Sequence, residues 1–260
     1  MARILILDIE TAPNLAYVWG FFKEHISPKQ VLEDSTILSW SAKWLGDKEV
    51  MYLDTQHASE LDVLTDLCYF IDKAVMVVGH NLKRFDMPKI RGRCLVNGIT
   101  VPSPYKEIDT YQVARRAFGF DRNTLEELAR ILGVDAKGDH KKFPGFELWA
   151  ECLKSNPKAW KEMEKYNKQD VLVTEQMYLK MRPYITNHPA VTVHGDYYGD
   201  IEAIACPKCG ADSGFQERRG YAYTNIGKYQ RYKCNNCGGW HRGRKTLLPA
   251  AQSQHLTVSI

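Results

Sequence analysis

Residues 4–11 read ILILDIET, an apolar run of four residues that ends in two carboxylates separated by one residue. A short, continuous apolar run bounded by polar residues is typical of a strand covered on both faces. Because side chains alternate along a strand, Asp8 and Glu10 project to the same side. Two such carboxylates repel each other unless a cation lies between them, although a strand ending in a solvated turn also accounts for the pattern.

Two more acids lie in contexts that suggest the same site. Asp86 follows the apolar run AVMVVG (residues 74–79) and lies just before a predicted helix that reaches Val96. At the start of a helix an aspartate often serves only as a cap. Asp170 fills the gap between Tyr166 and Val173 in the apolar stripe of a long predicted helix. Tyr166 is its neighbour at i−4 on the same face. The alternative for Asp170 is a local hydrogen bond at the rim of the stripe.

The remaining pattern predicts an α/β layered core, because strands and helices alternate. The predicted strands cover residues 4–7, 36–45, 49–54 and 74–79, and the predicted helices cover 59–73, 88–96, 125–132 and 157–182. A break in the helical pattern at 185–203 predicts a domain at 1–185, a second domain at 200–248 and a tail at 249–260.

Three motifs follow one another in a specific order: DxE at 8–10, NxxxFD at 81–86 and YxxxD at 166–170. Together they resemble the tyrosine branch of the DEDD exonuclease superfamily and are similar to the proofreading domain of family B DNA polymerases, over roughly residues 1–182. The resemblance implies an RNase H-like mixed sheet flanked by helices and a 3′→5′ exonuclease with two Mg²⁺ or Mn²⁺ ions. The roles it implies are metal ligands at Asp8, Glu10, Asp86 and Asp170, a water-positioning Tyr166, and Asn81 near the substrate strand.

Four other residues near these motifs could take part in the site. Asp109 ends a predicted strand, and we expect it to have a structural role. The alternative is that it contacts the metal-ligating residues without binding the metal itself. We expect Phe85 to pack in the core, although contact with a base is the alternative. His80 is expected to be a structural histidine, and His140, in a lysine-flanked loop, to be solvated.

Four of the seven cysteines form two CxxCG motifs, CPKCG at 206–210 and CNNCG at 234–238, with 24 residues between the inner cysteines. Two such tight turns present four thiolates (Cys206, Cys209, Cys234 and Cys237) to one tetrahedral zinc ion, and a site filled by four cysteines is structural. The pattern resembles a zinc ribbon; redox pairs or free thiols are the alternative. Cys68, Cys94 and Cys152 are expected to be ordinary buried thiols in a reducing compartment.

The positive charge is concentrated in the cysteine segment. Residues 204–246 hold nine lysines and arginines against two acids, whereas residues 1–195 hold 26 of each sign. Cations interleaved with aromatic rings are typical of surfaces that bind single-stranded nucleic acid. There are two alternatives: some of the rings must form the core of so small a domain, and zinc ribbons also bind proteins, which here would be a replication or repair partner. The predicted contacts are Arg218, Arg219, Tyr221, Tyr223, Lys228, Tyr229, Arg231 and Trp240. We expect residues 1–195, whose positive and negative side chains are equal in number, to bind a polyanion weakly.

These features predict a metal-dependent exonuclease that acts on nucleic acid, with single-stranded DNA favoured and RNA left open. The alternative is a binding module that keeps the RNase H-like fold and recruits partners. No apolar run reaches the roughly 18 residues of a membrane span, and MARILILDIE lacks the pattern of a signal peptide. We therefore expect a cytoplasmic protein with no membrane partner.

Overall fold

The computed structural model of the protein describes residues 3–22, 24–100, 102–103, 105–134, 142–193 and 204–258. Its contacts separate two compact units, residues 3–178 and residues from 179 onward. The strands of the first unit are β1 (Ile4–Thr11), β2 (Leu15–Ala16), β3 (Val31–Glu33), β4 (Ile37–Trp44), β5 (Met51–Asp54), β6 (Met76–Gly79) and β7 (Lys106–Asp109). Its helices are α1 (Glu60–Asp72), α2 (Asp86–Val96), α3 (Thr110–Ala117), α4 (Leu125–Leu132), α5 (Glu147–Leu153) and α6 (Pro157–Met181), which continues past residue 178.

The strand that carries Asp8 and Glu10 lies in the middle of a five-stranded sheet with the order β5–β4–β1–β6–β7. β1 pairs antiparallel with β4 and parallel with β6, and β6 pairs parallel with β7. The sheet is therefore mixed, and helices flank it. This arrangement confirms the predicted fold class of the first unit.

Alternation along β1 sends its side chains into two different layers. Leu5, Leu7 and Ile9 pack in one buried cluster with residues of α1 and α2. On the other side of the sheet, Leu38 of β4 belongs to a second cluster with residues of α5 and α6. Fully burying one such aliphatic side chain stabilises the fold by about 1.5–3 kcal/mol, so the register of β1 is strongly determined.

Helix α6 is held to the sheet by a buried ion pair as well as by apolar packing. Lys43 Nζ of β4 lies 2.5 Å from Glu175 Oε2, and both side chains are largely shielded from solvent. Because breaking one half of a buried pair leaves an uncompensated charge, the pair favours one position of α6 along β4. That position determines where Tyr166 and Asp170 lie relative to the sheet.

The observed elements extend several of the predicted ones. β1 continues four residues beyond the predicted end at Leu7, because Asp8–Thr11 go on pairing with β4. Helix α2 begins at Asp86, two residues before Pro88. Helix α4 covers the predicted range 125–132, with the Thr124 side chain accepting from Glu127 N at its start and Gly133 closing it at φ 60°. Helices α3 and α5 were not predicted from the sequence.

The second unit contains a small antiparallel sheet. Its strands are β8 (Gln216–Thr224), β9 (Gly227–Cys234) and β10 (Trp240–Arg242), in the order β10–β9–β8. A short helix, α7 (Ala250–Ser253), lies within the predicted tail. Among the described helices of both units, none is long and apolar enough to cross a membrane.

Gly79, at the end of β6, is the point where the sheet cannot accept a side chain. A Cβ there would lie 2.8 Å from Leu82 Cδ1 and 3.0 Å from the carbonyl oxygen of Leu7, the residue before Asp8. We expect Gly79→Ala to destabilise the protein by about 1–3 kcal/mol and to weaken metal binding, since β1 must shift. Gly92→Ala is the control: its Cβ meets nothing within 4 Å, and a helix interior gains about 0.5–1 kcal/mol from alanine. Denaturant melts measure both, and equal stabilities would contradict the prediction.

Candidate functional site

Three of the four predicted carboxylates converge at one point of the first unit. Oxygens of Asp8, Glu10 and Asp170 all lie within 4.8 Å of one another. Asp8 and Glu10 come from the end of β1 and Asp170 from the middle of α6, so the strand and the helix meet here. All three side chains are half-buried, which leaves the cluster accessible from one side.

Asp86 joins this group through the backbone of β1. The parallel pairing between β1 and β6 covers only Ile4–Ile6, so the part of β1 beyond it lacks β6 as a partner. The Ile9 N–H donates to Asp86 Oδ1 at 3.2 Å. Asp86 is the first residue of α2, whose N-cap position is occupied by Phe85, and its hydrogen bond to Ile9 ties the start of the helix to β1. Asp86 is buried, and its charge is among the causes that raise the pKa of Asp8.

Asp109 secures the loop that delivers Asp86. Its carboxylate accepts backbone N–H groups of Asn81 at 3.0 Å and Lys83 at 3.1 Å, and it also caps α3 by accepting from Tyr111 N and Gln112 N. Asn81 takes a left-handed conformation with φ 61°, which a non-glycine residue seldom adopts. The bonds to Asp109 stabilise this turn, which agrees with the structural role expected for Asp109.

Burial and mutual repulsion raise the pKa values of the cluster. The pKa of Glu10 is raised to about 8, first by burial and then by the charge of Asp170. The pKa of Asp86 is raised to about 7, again chiefly by burial. Burial, followed by the charges of the three other acids, raises the pKa of Asp8 well above its usual range. Without a cation, this site therefore retains protons near neutral pH.

Three polar neighbours orient the carboxylates. Asn167 Nδ2 donates to Asp8 Oδ2 at 2.6 Å, and Asn167 Oδ1 accepts from the buried Ser39 hydroxyl at 3.2 Å. The indole N–H of Trp149 donates to Glu10 Oε2 at 3.0 Å. None of these three residues was predicted from the sequence. Asn167 could have been found, since it lies three residues before Asp170 on the same helix, but Trp149 is 139 residues from its partner.

Tyr166 lies beside the cluster, one helical turn before Asp170. Its ring meets the Trp149 ring edge to face, with centroids 6.0 Å apart. Burial, then the charges of Asp170, Glu10 and Asp8, raise the pKa of its hydroxyl far above the usual range. The phenol therefore keeps its proton, and it offers a hydrogen bond rather than an anionic ligand.

The donor set fits hard divalent cations. Carboxylate oxygens are the ligands that Mg²⁺ and Mn²⁺ prefer, and these four come from three elements, β1, α2 and α6. A bound cation would offset both the burial and the repulsion that raise the pKa values of these carboxylates. Asp8, Glu10 and Asp170 could therefore hold such an ion, and Asp86, bonded to Ile9 on the same strand, is the adjacent acid.

The four cysteines of the second unit form a separate cluster. Cys206 Sγ lies 3.7 Å from Cys237 Sγ, and Cys209 Sγ lies 3.7 Å from Cys234 Sγ. Four sulfurs around one zinc at about 2.3 Å are separated by about 3.8 Å, so the spacing fits a tetrahedral ion. With four thiolates as ligands, such a site has no position left for a reactant.

Both cysteine turns are built in the same way. The N–H of Gly210 donates to Cys206 O at 2.8 Å, and the N–H of Gly238 donates to Cys234 O at 2.8 Å. The two glycines have φ values of 77° and 75°, a conformation that disfavours any other residue. The CxxCG spacing thus has a backbone cause, since the fifth residue must close a left-handed turn.

The predicted nucleic-acid contacts of the second unit divide between the two faces of its sheet. Cross-strand partners share a face, and the register places Tyr229, Arg231 and Trp240 on one face together with Lys233 and Arg242. On this face Arg242 lies over the Tyr229 ring at 3.9 Å and Arg231 over the Trp240 ring at 5.0 Å. The opposite face carries Arg218, Tyr221, Tyr223, Lys228 and the buried Tyr232.

The sequence model of the RNase_H_2 family, described as RNase_H superfamily, matches residues 5–182. The chain belongs to the RNase H superfamily. Among solved structures, it is similar to a family B DNA polymerase from the hyperthermophilic archaeon Pyrobaculum calidifontis, with 17% identity and a TM-score of 0.50. The match covers 70% of this chain and 25% of the polymerase, so the likeness concerns the fold of one part of that enzyme. No curated protein matches the chain in sequence.

The other predicted residues of this RNase H superfamily chain have mixed outcomes. Phe85 is 38% exposed, so the expectation that it packs in the core is wrong; it precedes the buried Asp86 in the chain. His80 Nδ1 lies 2.9 Å from the Thr110 hydroxyl, which agrees with a structural histidine. His140 falls outside the described residues. The scattered cysteines are buried, as expected: Cys68, Cys94 and Cys152.

The four-cysteine cluster of this RNase H superfamily chain should contain metal after purification without added zinc. Elemental analysis is expected to find about one zinc per chain, because the sulfur spacing fits a single tetrahedral ion. Cys206→Ser with Cys209→Ser should lose the zinc and unfold the second unit. Cys152→Ser, which changes a buried thiol elsewhere, is the control and should keep it. An ordered second unit in a zinc-free protein would contradict this prediction.

Proposed function

We propose that this protein is a 3′→5′ exonuclease of the tyrosine branch of the DEDD superfamily. It hydrolyses phosphodiester bonds of nucleic acid, preferably single-stranded DNA, with two Mg²⁺ or Mn²⁺ ions. RNase H superfamily membership supports a nuclease-type function. The observation that carries the proposal is the convergence of Asp8, Glu10 and Asp170, with Asp86 bonded to the same strand and Tyr166 beside them.

Each residue of the site has a distinct role in this proposal. The four carboxylates hold two divalent ions, which when bound lower the pKa of a water and stabilise the leaving 3′ oxygen. Tyr166 keeps its hydroxyl proton and orients the attacking water by a hydrogen bond. Asn167 and Trp149 keep Asp8 and Glu10 in place through their bonds of 2.6 Å and 3.0 Å. Asn81, in its strained turn, contacts the substrate strand.

Substitution of the site residues tests the proposal. Asp170→Ala should lower turnover by several orders of magnitude because it removes a metal ligand, whereas Tyr166→Phe should lower it less and leave metal affinity nearly unchanged. Gln176→Ala, exposed on the same helix, is the control. Strands labelled at the 5′ end should shorten progressively, and strands labelled at the 3′ end should release labelled mononucleotide first. Near wild-type activity in folded Asp170→Ala would refute the assignment.

Two alternative functions remain compatible with the fold. A partner-recruiting module would need the fold but not the carboxylates, so digestion of labelled oligonucleotides with Mn²⁺ separates it from the enzyme. An RNA-directed exonuclease would use the same carboxylates, and discrimination depends on contacts to the 2′-hydroxyl. Parallel digestion of single-stranded DNA, duplex DNA and RNA identifies the substrate.

We further propose that the second unit is a zinc ribbon that grips the substrate. One sheet face interleaves Arg231, Lys233 and Arg242 with Tyr229 and Trp240, which suits phosphates and stacked bases. The competing proposal is a docking site for a replication or repair protein.

A pair of matched double variants distinguishes these proposals. Arg231→Ala with Trp240→Ala should weaken binding to a single-stranded oligonucleotide by about tenfold or more, because it removes a phosphate contact and a stacking ring. Arg218→Ala with Tyr223→Ala removes one arginine and one aromatic ring from the opposite face and should have a smaller effect. Unchanged affinity in the first variant would favour protein docking.

A further inference from the structure

A groove with a volume of about 660 Å³ lies along the outer side of α6. Five lysines line it: Lys142, Lys158, Lys161, Lys165 and Lys168, with Phe143 beside them. Glu162, Glu164, Gln169 and Leu172 complete the lining. Lys158, Lys161 and Lys165 follow one another at helical spacings of three and four, so they form one row. These residues take no part in the proposed metal binding or catalysis.

The groove carries a net positive charge, although residues 1–195 as a whole hold equal numbers of positive and negative side chains. Its five lysines face only two glutamates, and one of these, Glu164, is already paired with Lys168 at 2.5 Å. Within the described part of the chain, Lys158, Lys161 and Lys165 have no ion pair, and all three are exposed. A row of unpaired cations beside an aromatic ring suits a phosphate backbone. The equal numbers of positive and negative side chains in residues 1–195 do not reveal this local row.

The dimensions of the row suit several phosphates. Lys165 lies seven residues after Lys158, so at a rise of 1.5 Å per residue the row is about 10 Å long. In a duplex each strand has one phosphate per about 3.4 Å of axis, and at that spacing the row matches about three phosphates. The groove is thus long enough to follow a strand rather than a single anion.

The row does not face the carboxylates. Lys165 and Asp170 are five residues apart, which turns them about 140° from each other around the helix. A strand that passes from one to the other must travel roughly 15 Å around a helix about 11 Å wide, or about four to five nucleotides. The groove therefore cannot hold the phosphate that is cut, only phosphates farther along the same strand.

We propose that this groove is a second binding site for the substrate strand, which holds phosphates about four to five nucleotides from the bond that is cut. The inference rests on the proposed nuclease function, because it assigns the groove to the substrate of the carboxylate site. It adds a site of its own, with lysines as the contacts and Phe143 as a surface for a base or sugar. The consequence is that long strands bind through the groove and very short ones do not.

The test compares two triple variants with equal loss of charge. Lys158→Gln, Lys161→Gln and Lys165→Gln remove the row. The control replaces Lys48, Lys73 and Lys106 with glutamine; all three are exposed. In the sheet register, Lys106 pairs with Met76, and Trp44 pairs with Leu5. The control lysines therefore lie near the N-terminal ends of β1 and β6, whereas the carboxylates lie at the C-terminal end of β1.

Binding of a long single-stranded oligonucleotide and of a dinucleotide is measured at several salt concentrations without added divalent metal. For the long strand, the row variant should lose affinity, and the slope of log affinity against log salt should fall by about two, at about 0.7 per phosphate contact. The dinucleotide should bind both variants equally, and the control should keep the wild-type slope. Equal slopes in all three proteins overturn the proposal, as does an equal loss in both variants.

Two further measurements separate this inference from the proposed function. Hydrolysis of a nitrophenyl ester of thymidine monophosphate reports the carboxylate site alone and should be unchanged in the row variant. If the ester is cleaved but the slopes are equal, the groove is not a strand site and the nuclease proposal stands. If the wild-type protein cleaves no substrate, and the row variant still shows a smaller slope of log affinity against log salt, the nuclease proposal fails and the strand site stands. Weakened binding of poly-glutamate alone, with unchanged oligonucleotide binding, overturns the groove proposal and indicates a protein dock.

Discussion

Electrostatic repulsion among buried carboxylates is the constraint that organises the first unit. Asp8, Glu10 and Asp170 have oxygens within 4.8 Å of one another, in surroundings that raise the pKa of Glu10 to about 8. Such a group is costly to assemble, so it needs rigid support. The central strand, the ion pair between Lys43 and Glu175, and the apolar layers on both sides of the sheet supply that support.

The sequence predicted the parts of the site that depend on local periodicity. Alternation along a strand placed Asp8 and Glu10 on one side, and helical spacing placed Tyr166 beside Asp170; the structure has both. It did not predict the contact of Trp149 with Glu10 or of Ser39 with Asn167, because these pairs are 139 and 128 residues apart. Such contacts depend on how helices pack on the sheet, which local pattern does not encode. The exposure of Phe85 was missed for the same reason.

Charge offers a second contrast between sequence and structure. Residues 1–195 hold equal numbers of positive and negative side chains, and a count alone suggests a surface without preference for a polyanion. Folding separates the signs: the acids converge at the end of β1, while lysines align along the outer side of α6. A cation site and a positive groove thus share one helix. In the second unit, the same sorting places cations and rings together on one face of a sheet.

Proton release on metal binding is the most direct test of the carboxylate site. Titration of the protein with Mg²⁺ is followed by calorimetry at about pH 7 in two buffers with different ionisation enthalpies. Since the pKa values of Glu10 and Asp86 are raised to about 8 and about 7, the metal-free site holds protons that the ion must displace. We expect about one to two protons released per chain near neutral pH, and fewer as the pH rises through these pKa values. Magnesium binding with no proton release near neutral pH, or no binding at all, would contradict a repulsive carboxylate site that a divalent cation neutralises.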